Sequence, residues 1–293
     1  MSFLRRLTRS FGIGGAVTLA VLVLATTGVL ADAPRPWEMG MQAAATPVAE
    51  RQHALHDELL VIITLISVFV LALMLYAIVR FNERRNPTPS RTSHNTVIEV
   101  LWTVVPVLIL VIIAIPSFKL LYFQDRTANA EMTIKVTGRQ WYWSYEYPDN
   151  DNITFDSNIV QESDLKPGQL RLLDVDNRLV VPVDTNVRVL VAGSDVMHSF
   201  FVPSLGVQIY AVIGRLNETW FNIRQPGVYR GECNQICGVN HAFMPIVVEA
   251  VSKDDFKRWV EDAKKKFAHN GTPAPAAVQV AQSGGPAAAA APQ

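Results

Sequence analysis

Two long apolar stretches in the first 120 residues limit what this chain can fold into. The first runs from Leu59 to Val79 and contains no charged residue. The second lies between Val97 and Phe118 and contains one acidic residue, Glu99, near its start. Each stretch is long enough to cross the roughly 30 Å hydrocarbon layer of a bilayer as a helix. The sequence therefore predicts a transmembrane helical hairpin over residues 59–122.

The connection between the two stretches is basic. It contains four arginines against one acidic residue, Glu83. Because cytoplasmic loops of membrane proteins are enriched in Lys and Arg, we expect this loop on the cytoplasmic side. Both outer ends of the hairpin then face the other way, and everything after Tyr122 is predicted to be periplasmic or in an equivalent compartment.

Residues 1–33 have the composition of a secretory signal. Arginines near the start precede an apolar run from Ile13 to Leu30, which ends in small residues. That order predicts a signal peptide cleaved near residue 31 or 33, with an uncleaved anchor helix as the alternative. Residues 34–58 are then expected to form a periplasmic N-terminal segment.

After residue 130 the pattern changes to short runs rich in Val, Ile, Tyr and Trp, separated by turn signals such as Lys166-Pro167-Gly168. The runs predicted as strands are 133–136, 141–147, 171–175, 187–191, 219–223 and 246–250. Several short strands over residues 123–251 predict a Greek-key sandwich or barrel. The expected fold class is therefore an α+β membrane protein, a two-helix hairpin with a β head.

The end of the chain contains one further predicted helix. Ser252 is followed three residues later by Asp255, which is typical of a helix N-cap, and apolar residues recur on one face. We therefore expect a short amphipathic helix over residues 252–267. Residues 268–293 are rich in Pro, Ala, Gly and Gln and are predicted to be disordered.

The only two cysteines lie inside a cluster of metal-binding residue types. The spacing is Cys233-x3-Cys237-x3-His241-x2-Met244, and His198 precedes it. Thiolate, imidazole and thioether ligands together suit copper, and a Cys-His-Met loop with one earlier His is how a cupredoxin holds a single copper ion. A second cysteine allows two thiolates to bridge two copper ions. Because sharing an electron over two ions reduces bond-length changes on reduction, such a centre indicates an electron relay.

Other interpretations of this cluster are a disulfide and a zinc site. In an oxidising compartment, Cys233 and Cys237 could pair with each other, and Cys and His ligands also form structural zinc sites. Zinc rarely recruits a thioether, so Met244 argues against it. The formal net charge of zero gives no indication of nucleic-acid binding.

Four segments of the chain resemble the cytochrome c oxidase subunit II family. They are GRQWYWSYEY at 138–147, DVDNR at 174–178, VPSLG at 202–206 and GECNQICGVNHAFMP at 231–245. The resemblance runs from about Trp37 to Lys266. It implies a cupredoxin-like head anchored in the bacterial inner membrane, with the head and both mature termini in the periplasm.

The resemblance also implies a function and partners. A subunit of this kind accepts electrons from cytochrome c and passes them to the haem of the catalytic subunit I, where oxygen reduction is coupled to proton pumping. Two copper ions (the CuA centre) are the implied cofactor, and other oxidase subunits and membrane lipid are the implied neighbours. Catalytic residues for oxygen chemistry are not expected in this chain.

The implied copper ligands fall into three pairs. The bridging thiolates are those of Cys233 and Cys237. The imidazoles are those of His198 and His241. The axial ligands are Met244 and the main-chain carbonyl of Gln235. Where this chain has Gln235, the family usually has a Glu whose carboxylate binds magnesium. Since an amide oxygen is a weaker ligand for a hard cation, we expect a magnesium site that is weakened or rebuilt with help from Glu232.

Further roles are carried over by position. Trp141 matches the tryptophan through which electrons enter, although Tyr142, Trp143 and Tyr145 are interpreted as packing residues. Glu99 matches a glutamate at the mouth of a proton-uptake channel in the neighbouring subunit, with a simple interfacial glutamate as the alternative. Slowed proton uptake in Glu99→Ala would distinguish the two.

The predicted head is acidic, which suits a basic partner. Residues 131–251 contain 14 acidic and nine basic residues, a net charge of −5. Such a field raises encounter rates with a cation-rich protein in a salt-dependent manner. The predicted cytochrome c docking residues are Glu146, Asp149, Asp174, Asp176 and Asp195.

Two rival functions remain at this point. A quinol-oxidising relative keeps the fold and lacks copper, and the intact Cys, His and Met ligands argue against it. A non-redox membrane-anchored β domain would instead use its two cysteines as a structural disulfide. Metal content and a mixed-valence copper spectrum distinguish these from a copper relay.

Overall fold

The computed structural model describes residues 33–125 and 129–267. The predicted signal peptide and C-terminal tail lie outside the described residues, apart from Ala33. Within the described ranges, the long helices are α1 (Pro47–Arg80), α2 (Thr96–Asp125) and α3 (Lys253–Lys266).

Helix α1 begins earlier than the apolar run that predicted it. Thr46 caps it, because its Oγ1 accepts a hydrogen bond from the backbone N–H of Ala49 at 3.1 Å, and Pro47 occupies the first helical position. The first turn contacts the head, and Val48 and Ala49 are buried. The predicted N-terminal segment 34–58 is therefore partly helical.

Helices α1 and α2 are both long and apolar enough to cross a membrane. No residue of the most apolar stretch of either helix is buried within the chain. Since exposed Leu, Ile and Val side chains are unfavourable in water, these faces need lipid or another subunit. The observed hairpin agrees with the predicted one.

Within residues 129–267, ten strands form the head. They are β1 (Met132–Arg139), β2 (Tyr142–Tyr147), β3 (Ile153–Ser157), β4 (Leu179–Pro182), β5 (Val187–Gly193), β6 (His198–Val202), β7 (Val207–Ala211), β8 (Asn217–Phe221), β9 (Gly227–Cys233) and β10 (Pro245–Val251). They make two five-stranded sheets, in the orders β3-β2-β1-β5-β8 and β4-β10-β9-β6-β7. Parallel pairing of β1 with β5 and of β10 with β4 interrupts otherwise antiparallel sheets.

The core lies between these two sheets. On β1, residues with even numbers from Met132 to Val136 are buried and their neighbours are partly exposed, as expected for a strand with one face inward. Fully buried aromatic side chains from β2 and β6 fill the centre: Trp143, Tyr145, Tyr147 and Phe200. Helix α3 closes one end with Val260 and Ala263 buried, capped by Ser252 as expected.

The head contacts the outer end of the hairpin directly. Thr46 Oγ1 donates to the carbonyl oxygen of Leu205 at 2.7 Å, and Trp220 Nε1 donates to that of Phe123 at 3.0 Å. Gly206 has a φ of +66°, and a Cβ there would lie 2.8 Å from the backbone N of Ala49. Only glycine combines this conformation with so close an approach.

One predicted strand is wrong. Residues 171–175 form turns with only an isolated bridge at Val175, and Leu172 has a φ of +65°. The cause is Asp174, whose Oδ2 accepts a hydrogen bond from the backbone N–H of Leu170 at 2.7 Å and so bends the chain. Strands β3, β4, β6, β7 and β9 lie outside the predicted runs.

Candidate metal centre

The two strands that carry the first ligands are neighbours in one sheet. His198 begins β6 and Cys233 ends β9, and the pairing places Phe200 opposite Cys233. This approach requires glycine at 231, because a Cβ there would lie 2.0 Å from the carbonyl oxygen of Phe201. Strand pairing therefore brings together residues that are far apart in the sequence.

The loop between β9 and β10 supplies the remaining predicted ligands. Cys237 Sγ lies 3.9 Å from Cys233 Sγ, 3.6 Å from His241 Nδ1 and 3.6 Å from Met244 Sδ. Cys233 Sγ lies 3.3 Å from the carbonyl oxygen of Gln235. The structure thus gathers the loop ligands around two sulfur atoms.

His198 completes the cluster. A ring nitrogen of His198 and the sulfurs of Cys233 and Cys237 all lie within 4.8 Å of one another, and all three residues are buried. The Nδ1 atom of His198 is buried and forms no hydrogen bond. Buried polar atoms without partners are rare, and a bound metal ion would satisfy this one. Two thiols, two imidazoles and a thioether are soft and borderline donors that fit copper.

The two cysteines are not joined. Both are free and buried, and their sulfur separation is far beyond the roughly 2.05 Å of a disulfide. Burial disfavours the thiolate of Cys233, but the neighbouring His198 imidazole and backbone N–H groups outweigh it and lower the pKa to about 7. Burial and the neighbouring Cys233 raise the pKa of Cys237.

Aromatic side chains hold the loop from the opposite sheet. Trp141 Nε1 and Gln140 Nε2 both donate to the carbonyl oxygen of Cys237, at 3.2 and 3.1 Å. Trp143 Nε1 donates to the carbonyl oxygen of Met244 at 3.1 Å. Trp141 is half-buried and lies against the metal loop, whereas Trp143 belongs to the core.

Comparisons with known proteins identify the family of the chain. Residues 132–251 match the family described as cytochrome c oxidase subunit II, periplasmic domain, and residues 34–120 match its transmembrane domain. The chain belongs to the cytochrome c oxidase subunit II family. As a subunit II, it is a component of a cytochrome c oxidase.

Relatives cover most of the chain. A probable cytochrome c oxidase subunit 2 from Rickettsia bellii is 52% identical over 255 residues, which is 87% of this chain and 94% of the relative. A cytochrome c oxidase subunit 2 from Cyanidium caldarium is 50% identical over 80% of this chain and 94% of the relative. The crystal structure of the periplasmic domain of subunit II of cytochrome oxidase of Bradyrhizobium japonicum shares 52% identity, with a TM-score of 0.46, over 48% of this chain and 99% of that chain.

For this subunit II, the predicted docking role of Asp174 is wrong. Asp174 is 1% exposed, and its carboxylate pairs with Arg230 at 3.0 Å and Arg178 at 3.3 Å. A carboxylate neutralised inside the head cannot meet a partner protein. The sequence showed its charge but not its burial.

The other predicted acids reach the surface of the head. Glu146 is half-exposed and pairs with Lys135 at 3.0 Å. Asp149 and Asp176 are exposed, although each also accepts a hydrogen bond from a backbone N–H at 2.7 Å. Their role in docking stays a prediction.

Asp195 and Glu99 have local partners that sequence patterns did not indicate. Asp195 Oδ1 lies 2.9 Å from His198 Nε2. Burial opposes its ionisation, but hydrogen bonds from His198 and from two backbone N–H groups hold the pKa of Asp195 below its usual value. Glu99 lies in the first turn of α2, where its Oε1 accepts from the backbone N–H of Asn95 at 3.1 Å. Its place at a proton-channel mouth stays a prediction.

Proposed function

We propose that this subunit II is the electron-accepting subunit of its oxidase and that it holds a binuclear copper centre. Two unpaired cysteine sulfurs 3.9 Å apart, each beside further donor atoms, carry this proposal. The thiolates of Cys233 and Cys237 and the imidazoles of His198 and His241 would hold the copper ions. Met244 and the carbonyl oxygen of Gln235 would complete the ligand set.

The copper pair supplies a one-electron carrier, and the protein supplies a rigid and dry ligand cage. Cys233, Cys237 and Met244 are at most 4% exposed, so water is kept from the sulfurs. Ligands fixed by two paired strands and a braced loop move little on reduction, which favours fast transfer. Electrons would come from cytochrome c in the periplasm and continue to the haem of subunit I, where oxygen is reduced and protons are pumped.

The proposed function is tested by the metal content of the intact oxidase. We expect two copper ions for each copy of this chain and an electron paramagnetic resonance signal from one electron shared by two copper nuclei. A structural disulfide or a copper-free quinol-oxidising subunit would give neither result, and a zinc site would contain the wrong metal.

Trp141 is proposed as the residue through which electrons enter. Its indole is hydrogen-bonded to the backbone of Cys237, so it couples the surface to a bridging ligand. In Trp141→Phe, we expect electron transfer from cytochrome c to slow by roughly tenfold or more, which corresponds to at least about 1.4 kcal/mol in the barrier. Stopped-flow kinetics with reduced cytochrome c measure this rate.

Tyr142→Phe is the matched control, because it changes the neighbouring aromatic residue without removing the contact with Cys237. An unchanged rate in Trp141→Phe, with the copper signal intact, would rule out this route.

The exposed acids are proposed to attract cytochrome c. Because opposite charges steer association, we expect the second-order rate with cytochrome c to fall steeply as ionic strength rises. Glu146→Gln and Asp149→Asn should each lower the rate at low salt and converge with the wild type at high salt. A second-order rate that does not depend on ionic strength would contradict a docking role for these acidic residues.

Magnesium is proposed to be held weakly beside the copper loop. The half-buried Gln235 offers a neutral amide oxygen, and Glu232, three residues earlier in the chain, is exposed. We expect magnesium below one ion per oxidase after dialysis against a chelator, and tighter retention in Gln235→Glu, because a carboxylate binds Mg²⁺ better than an amide. Full magnesium content in the dialysed wild-type oxidase would contradict this proposal.

A further inference from the structure

Asp195 lies between one predicted copper ligand and the turn that contains Trp141. Its Oδ1 is 2.9 Å from His198 Nε2 and accepts from the backbone N–H of Val196 at 2.7 Å. Its Oδ2 accepts from the backbone N–H of Gln140 at 2.7 Å. Both carboxylate oxygens are therefore used inside the head.

The contact with His198 decides which ring nitrogen is available to a metal. A carboxylate only accepts hydrogen bonds, so the proton of the neutral imidazole must lie on Nε2. The lone pair is then on Nδ1, the buried atom that forms no hydrogen bond. Carboxylates that orient a metal-binding imidazole in this way are common beside metal sites.

The contact with Gln140 decides where the turn lies. Gln140 and Trp141 both bind the carbonyl oxygen of Cys237 through their side chains. The same turn packs tightly on the imidazole, since a Cβ at Gly138 would lie 2.8 Å from Cδ2 of His198. One carboxylate thus connects an imidazole ligand with the groups that hold a bridging cysteine.

We infer that Asp195 is a positioning residue of the copper centre, which fixes the orientation of His198 and holds the Gln140-Trp141 turn against Cys237. This inference rests on the proposed function. It gives Asp195 a role inside the head, and the docking role predicted for its exposed side chain stays a prediction.

The test is Asp195→Asn in the intact oxidase complex. The amide keeps the size of the side chain. Its NH2 group, however, must face either the Nε2–H of His198 or the N–H of Gln140. Both are donors, so one of the two hydrogen bonds is lost. We expect copper to be lost to a chelator 10- to 100-fold more readily. Removing a negative charge beside the oxidised centre should also shift its redox equilibrium about tenfold toward the reduced form, or about 59 mV for one electron.

Glu146→Gln is the matched control. It removes one negative charge from a side chain with the same exposed fraction, 33%, that contacts no predicted ligand. We expect its copper signal, redox potential and copper retention to match the wild type. Asp195→Glu keeps the charge on a longer side chain and should give intermediate values.

Two outcomes separate this inference from the proposed function. If the wild-type oxidase shows the two-copper signal and Asp195→Asn behaves like Glu146→Gln in all three measurements, the inference is overturned and the proposed function stands. If the wild type lacks that signal, both fail. Should Asp195→Asn not assemble, an Asp195→Glu oxidase identical to the wild type would overturn the inference.

Discussion

Replacing Cys237 by serine is expected to abolish the copper pair and electron uptake from cytochrome c. A serine hydroxyl stays protonated at neutral pH and is a hard oxygen donor, so it cannot replace a thiolate that bridges two copper ions. We expect the steady-state rate of cytochrome c oxidation to fall about 100-fold or more, or at least about 2.7 kcal/mol in the barrier. Copper per haem and the oxidation rate of the purified oxidase measure the effect.

Ile236→Ser provides the matched control for that experiment. Ile236 is adjacent in the same loop, and its side chain is 81% exposed, so the change adds a hydroxyl without touching a ligand. We expect near-normal copper content and rate. A Cys237→Ser oxidase with unchanged haem absorption, two copper ions and normal turnover would show that the cysteine is not a bridge.

Asp174→Asn is expected to destabilise the head strongly although it lies outside the metal loop. Arg230, 5% exposed on β9, would lose the charged partner of a buried ion pair. Breaking a buried pair by removing one partner costs about 3–5 kcal/mol, because a charge remains in a medium that solvates it poorly. The free energy of unfolding, measured by denaturant titration of the full-length chain in detergent, should fall by this amount.

Glu162→Gln tests whether burial is the reason. Glu162 pairs with Arg171 at 2.9 Å, but their side chains are 72% and 60% exposed. An exposed pair contributes only about 0–1 kcal/mol, so this variant should be nearly as stable as the wild type. If Asp174→Asn and Glu162→Gln lower the free energy of unfolding equally, the buried Asp174 pair stabilises the head no more than an exposed pair does.

The position of this pair also links stability to the metal centre. Arg230 precedes Cys233 by three residues on β9, and Asp174 belongs to the segment that was wrongly predicted as a strand. The ion pair holds this segment against β9. The bend at residues 171–175 therefore places Asp174 where it can pair with Arg230. Hydropathy alternation at 171–175 could not reveal a carboxylate that binds its own backbone.

The sequence by itself determined the parts of this protein that depend on interactions between residues close together in the chain. The hairpin follows from uninterrupted apolar length, and the helix after Ser252 follows from a cap and a repeating apolar face. Cys233, Cys237, His241 and Met244 could be proposed as ligands because they lie within twelve residues and their donor atoms have a common metal preference. The structure places the donor atoms of Cys237, His241 and Met244 together because neighbours in sequence had to be neighbours in space.

Tertiary structure decided everything that depends on which strands pair. It placed His198 beside the cysteines through the contact of β6 with β9, buried Asp174 against Arg230, and set Asp195 between an imidazole and the Trp141 turn. The sequence shows that a residue is an aspartate. It does not show whether the carboxylate faces a partner protein, an arginine in the core or a metal ligand. Burial and cross-strand contacts separate these cases, and both arise only when distant segments pack together.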